Sequence, residues 1–119
     1  MTREIQLLDR LLENPSNYYW SIDDEYAVKV GNVETASMTF KEDYTDHFVI
    51  EPVFRRDDEF SSAAPLGYSV SLPEGQKIKE LISKVKSYLK EQGVAETQEE
   101  NEDRLAHNAD AAIADLYNR

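Results

Sequence analysis

Between Tyr26 and Phe40, two β-branched and aromatic runs flank Gly31-Asn32, and no other stretch of the chain restricts the fold as much. Tyr26 to Val30 and Val33 to Phe40 suit a pleated, half-buried surface. Gly31-Asn32 fits a two-residue turn, because Gly accepts positive φ and Asn tolerates the left-handed region. A loop of that length predicts Val30 opposite Val33, Lys29 opposite Glu34, Val28 opposite Thr35 and Ala27 opposite Ala36. Directly opposed residues share a face. Tyr26, Val28, Val30, Val33, Thr35, Ser37 and Thr39 are therefore expected on one side, with Ala27, Ala36, Met38 and Phe40 on the other. A second turn at Asp23-Asp24 would pair Tyr18 to Ile22 with the hairpin. That adds Trp20 and Ile22 to the Ala27, Met38 and Phe40 side, the expected core, and leaves Tyr19 and Tyr26 on a half-wet face. One extra loop residue would flip the first strand.

The remaining elements are laid around this hairpin. Thr2 caps a first helix with apolar positions Ile5, Leu7, Leu8, Leu11 and Leu12, which Asn14-Pro15 ends because the residue before proline avoids the α region. Phe48 to Phe54 alternates as a fourth strand, at an edge or bulged because Pro52 lacks a ladder donor. Arg55 to Leu66 is expected to be a long mobile or functional loop. Tyr68, Val70 and Leu72 alternate with Ser69 and Ser71 as a fifth strand. Pro73-Glu74-Gly75 opens a helix with the stripe Ile78, Leu81, Ile82, Val85, Tyr88 and Leu89, closed by Gly93 with Val94 packing back. Lys77, Lys79, Lys84, Lys86 and Lys90 flank that stripe, and are read as stems covering its edges rather than as a phosphate-binding ridge. Thr97-Gln98-Glu99-Glu100 matches a capping box, opening a last helix with Leu105, Ala109, Ala112, Ile113 and Leu116 on one side. The expected fold class is α+β: an antiparallel sheet of about five strands with helices packed on one face, plus a C-terminal helix. Residues 1–119 are read as a single domain, with a core over 1–94 and an acidic helical segment over 95–119 that packs closely, docks loosely or orders on a partner.

Charge decides which functions fit. The net charge is −11, distributed as −1 over residues 1–13, −7 over 14–73, +3 over 74–90 and −6 over 91–119. Direct binding to nucleic acid or anionic lipid is disfavoured, since phosphate contacts need a basic footprint. The expected partner is a basic or nucleic-acid-handling protein. A hydrophobic content of 40% argues against global disorder, and 119 residues suffice for one buried core. The absence of cysteine removes disulfide and thiolate chemistry. No run resembles a signal or membrane-spanning segment, so a cytoplasmic protein without a membrane partner is expected.

No catalytic residue, metal ligand set or cofactor motif stands out. The chain has no Gly-rich phosphate loop, His-Glu-x-x-His, EF-hand or zinc spacing, and Ser61-Ser62 and the Ser69, Ser71 pair lie outside any nucleophile elbow. Asp43, Asp46 and His47 form a minor metal-site alternative, for which an acidic turn is the commoner meaning. If the first four strands form a meander, alternate turns emerge at one end, about 10 Å apart. Asp23, Asp24, Glu25, Glu42, Asp43 and Asp46 would then act as one field, within roughly a Debye length of each other. The function expected is a non-enzymatic interaction protein that uses these six carboxylates, with Tyr19 and Tyr26, against a basic surface. An inhibitor or nucleic-acid mimic is such a protein. The alternatives are a chaperone or immunity-type partner using the aromatic sheet face, and a metal-dependent enzyme.

Overall fold

The computed structural model describes residues 2–32, 35–44, 46–56, 59–62 and 65–117. In order the chain forms α1 (Arg3–Glu13), a 3-10 turn (Pro15–Asn17), β1 (Trp20–Asp24), β2 (Ala27–Asn32), β3 (Ala36–Tyr44) and β4 (His47–Arg56). Then come β5 (Glu59–Ser62), β6 (Leu66–Ser69), α2 (Pro73–Leu89), α3 (Val94–Glu100) and α4 (Glu102–Tyr117). The class is α+β, as the sequence predicts. The strands make one antiparallel sheet in the order β1-β2-β3-β4-β5, and β6 pairs with β4 as well.

The hairpin register differs from the sequence expectation. Asn32 pairs with Ala36, Gly31 with Ser37, Val30 with Met38 and Val28 with Phe40. The chain reverses between Asn32 and Ala36, where the Thr35 N–H donates to the Asn32 carbonyl. Gly31 is not a turn centre. It lies within β2 with φ of 95°, and a Cβ there would collide with the Ala36 carbonyl and crowd Ser37. The shift is odd, so faces exchange: Val28 and Val30 join Met38, Phe40 and Trp20 in the core, and Ala27 moves to the other face. Val33 and Glu34 fall outside the described residues.

The second turn also shifts. Trp20 pairs with Val30 and Ile22 with Val28, and the reversal falls at Glu25-Tyr26 rather than at Asp23-Asp24. Trp20 keeps its predicted side and is buried, its indole donating to the Pro15 carbonyl and its ring tilted against Phe40. Ile22 has the core-facing parity but is 50% exposed.

α2 and α4 lie on one sheet face and α1 packs against both, and their apolar stripes form a single cluster with Trp20, Val28, Val30, Met38, Phe40, Phe48 and Ile50. Thr2 caps α1 as its sequence predicts, accepting from the Ile5 N–H at 3.1 Å. α4 contributes Ala109, Ala112, Ile113 and Leu116, all buried. On the other face, Lys29–Asp23 and Lys41–Glu51 ion pairs lie beside Ala27, Thr39 and Val49, which are buried under neighbouring stems.

Much of the expected Arg55 to Leu66 loop is strand, as β4 runs on through Arg56, β5 occupies Glu59–Ser62 and β6 starts at Leu66. Pro52 lies within β4, paired with Met38. Outward hydrogen bonding at Trp20 sets the parity of the sheet, which turns the backbone of Val30 toward β3 and that of Pro52 away from β3. The missing Pro52 N–H therefore faces the β5–β6 side. On that side Val53 pairs with Ser62 of β5 and Ile50 with Leu66 of β6. β6 ends at Ser69, so Leu72 is not a strand residue; it precedes α2 and is exposed.

Candidate functional site

The β1–β2 and β3–β4 turns emerge at one end of the sheet and are hydrogen-bonded together. The Glu42 N–H donates to the Tyr26 carbonyl at 3.1 Å. Ladder pairing runs across the same end, from Asp24 to Ala27, Lys41 and Val49. Tyr26 is held in its turn by its own N–H, which the Asp24 carboxylate accepts at 2.7 Å. Asp24, Glu25, Tyr26, Glu42, Asp43 and Asp46 thus share one rim, with Asp23 one step inward on β1.

The electrostatics agree with this convergence. Lys41 is held above its ordinary range, first by its hydrogen bond to Glu51, then by the charges of Glu51, Asp43 and Asp24. One cation between the two turns therefore feels both. Two of the carboxylates at this end are ion-paired, Asp23 with Lys29 at 3.4 Å and Glu51 with Lys41 at 2.9 Å. Glu25, Asp43 and Asp46 take no side-chain hydrogen bond or ion pair among the described residues. Asp23, Asp24, Glu25, Glu42, Asp43, Asp46 and Glu51 against Lys29 and Lys41 leave a formal −5 there.

α2 also starts at this end. The Val70 N–H donates to the Asp46 carbonyl, and Gly75 in the first turn lies against the Ser69 carbonyl. Leu72, just before α2, and Tyr26 are two of the three exposed large hydrophobic residues among those described; Ile22, near the rim end of β1, is the third. Sequence reasoning missed Leu72 and Ile22 because it placed both in strand alternations with a buried side. Four strand spacings separate β1 from β6, which gives the rim a breadth of roughly 20 Å.

Tyr19 does not belong to the rim. Its carbonyl accepts from the Gly31 N–H toward the other end of β1, and its side chain is half-buried. Desolvation raises its pKa, with Glu102 and Glu99 adding to the effect. A second acidic group, on α3 and the start of α4, therefore flanks β1 at its far end. Of the residues expected with Tyr19 on a half-wet face, Val28 is in the core and Tyr26 is in a turn. The Thr97 to Glu100 stretch lies inside α3 rather than capping α4, and the Thr97 hydroxyl donates back to the Gly93 carbonyl.

Gln98 does something the sequence did not announce. Its Oε1 accepts from the Trp20 N–H at 2.8 Å, and its Nε2 donates to the Trp20 carbonyl at 3.2 Å. One carboxamide thereby satisfies both outward backbone groups of an edge-strand residue. Among the described residues no group of three His, Asp or Glu side chains is placed to hold a metal ion, and no helix is long and apolar enough to cross a membrane. No protein-family model, curated protein or solved structure matches this chain. The surface is thus read from its own chemistry. A polar cleft of about 600 Å³ between α1, the 3-10 turn and α4 is lined by Arg10, Glu13, Asn14, Asn17, Tyr18 and Asn108. Several of these are engaged with neighbours: Arg10 with Asp115, and Asn108 with the Asn17 carbonyl.

Proposed function

We propose that this protein is a cytoplasmic, non-catalytic interaction protein whose acidic rim occupies a basic surface of a partner protein, in the manner of an inhibitor or nucleic-acid mimic. The observation that carries the reading is the hydrogen bond from Glu42 to Tyr26, which fastens two acidic turns into one rigid edge. A fixed array of like charges steers association with a surface of opposite sign, and its members lose little entropy on binding. Exposed Tyr26, Ile22 and Leu72 supply the apolar contacts that charge alone does not. A partner that normally handles nucleic acid carries a basic surface of the required kind.

The test is capture from nuclease-treated host lysate by the tagged chain and by a Glu25→Lys/Asp43→Lys/Asp46→Lys variant. These three positions hold no turn together, so the variant should melt close to the parent. Loss of a discrete basic partner by the variant supports the reading, and undiminished capture overturns it.

A further inference from the structure

We propose that the outer edge of β1 docks an extended, lysine- or arginine-bearing segment of a partner protein, which adds to the sheet as a strand and displaces the Gln98 side chain. The proposal rests on the rim reading above and specifies how the partner is held. β1 is the terminal strand of the sheet. The Trp20 N–H and carbonyl point outward, as their bonds to Gln98 show, while the Tyr19 carbonyl points inward to Gly31. Ile22 lies two residues on, with no register shift between them, so its backbone groups also point outward. Among the described residues nothing hydrogen-bonds to those outward groups. The Ile22 side chain is 50% exposed beside them.

Gln98 already demonstrates what this edge accepts. Its carboxamide presents a carbonyl and an N–H to Trp20 as a neighbouring strand would. The helix that holds it is short, and of its seven residues only Val94 and Gln98 are buried, so few other contacts oppose its displacement. With Gln98 in place the edge offers Ile22 alone. With Gln98 displaced it offers Trp20 and Ile22 in register, up to the irregularity before Asp24. Charge selects the occupant. Asp23, Asp24 and Glu25 stand at one end of β1, and Glu99 and Glu102 stand near Tyr19 at the other. An extended basic segment meets carboxylates at both ends of this short strand, whereas a second copy of the chain brings like charge to it. Main-chain bonds would provide affinity and the flanking acids specificity, as in other strand-addition complexes.

Calorimetric titration of the full chain tests this with a seven-residue peptide alternating lysine and valine. The control is the same peptide N-methylated at its three central residues, which keeps every charge and removes the central donors. The unmodified peptide should bind roughly tenfold tighter or better, and should slow exchange of the Ile22 amide. Ile22→Pro removes the outward donor at a position where an edge strand tolerates proline, and should cut binding to the level of the methylated peptide. Gln98→Ala should tighten binding several-fold. Equal binding of both peptides, lost on Glu25→Lys/Asp43→Lys, would overturn strand addition and leave the rim reading standing. No binding of either peptide at low salt would overturn both. Dimers of Gln98→Ala in sedimentation velocity, without peptide, would show that the edge takes a second copy instead.

Discussion

Replacing Gln98 with alanine removes the side chain that hydrogen-bonds α3 to the sheet at Trp20. Gln98 is 6% exposed and Trp20 is 1% exposed, so the backbone N–H and carbonyl of Trp20 lose a buried partner. Leaving a buried donor or acceptor unpaired costs about 1–3 kcal/mol. Two groups are affected, but β1 is at an edge and water can satisfy them in part, so the expected loss is about 2 kcal/mol in total. Urea unfolding should show a lower midpoint at unchanged slope, and the melting temperature should fall by several degrees. Gln98→Glu sharpens the test. A neutral carboxyl restores one donor and one acceptor, whereas a carboxylate sets negative charge against the Trp20 carbonyl. Its folded-state pKa is therefore raised above the unfolded value, and the folded state binds the extra proton. The deficit of Gln98→Glu should be largest at neutral pH and should shrink as pH falls through that raised value. A Gln98→Ala protein as stable as the parent, with a Gln98→Glu deficit independent of pH, would refute the reasoning.

Three further outcomes follow from other contacts. Burial raises the Asp110 pKa, against the opposing effects of its hydrogen bond from Thr35 and the nearby His107. Asp110 therefore costs stability progressively as pH rises through its folded value, and Asp110→Asn should be at least as stable as the parent at pH 7 and relatively less favoured in acid, as read by thermal melts across pH. Gly75→Ala would drive a Cβ into the Ser69 backbone; overpacking of this kind costs about 1–3 kcal/mol, measurable by urea unfolding, while Gly93→Ala meets no atom and carries only the strain of φ at 82°. The Arg10–Asp115 pair is 44% and 68% exposed, so Asp115→Ala should change stability by less than about 1 kcal/mol in the same assay.

The helices were legible because their signals are local. Thr2 caps α1, Ile5 to Leu12 and Ile78 to Val85 read as stripes at helical spacing, and these residues are buried as their periodicity requires. Faces of the hairpin were not legible from the Gly-Asn dipeptide, because Gly31 spends its positive φ inside a strand. The better signal was the pair of alternations Val28, Val30 and Met38, Phe40. Both can face one core only if the connecting loop has an odd number of residues, as it does between Asn32 and Ala36. The acidic rim survived this error, since a register slip changes which face a residue takes but not the end at which alternate turns emerge. Two features had no sequence signature: α3 beginning directly at Val94, and Gln98 reaching Trp20 across 78 positions of sequence. A second acidic group stands apart from the rim, since Glu99 and Glu102 act on Tyr19, while lysines of α2 reach to α1. Of those lysines, Lys77 pairs with Asp9 and Lys84 donates to the Leu12 carbonyl.

The salt dependence of affinity for the captured partner addresses the rim most directly. Between about 50 and about 300 mM salt the Debye length falls from roughly 14 to roughly 6 Å. If the joined turns at Tyr26 and Glu42 present their carboxylates to a basic surface, Kd should rise by roughly tenfold or more over that range, mainly through slower association. The Glu25→Lys/Asp43→Lys/Asp46→Lys variant should be weak throughout. A Kd that stays constant with salt, and that the variant shares, would contradict it.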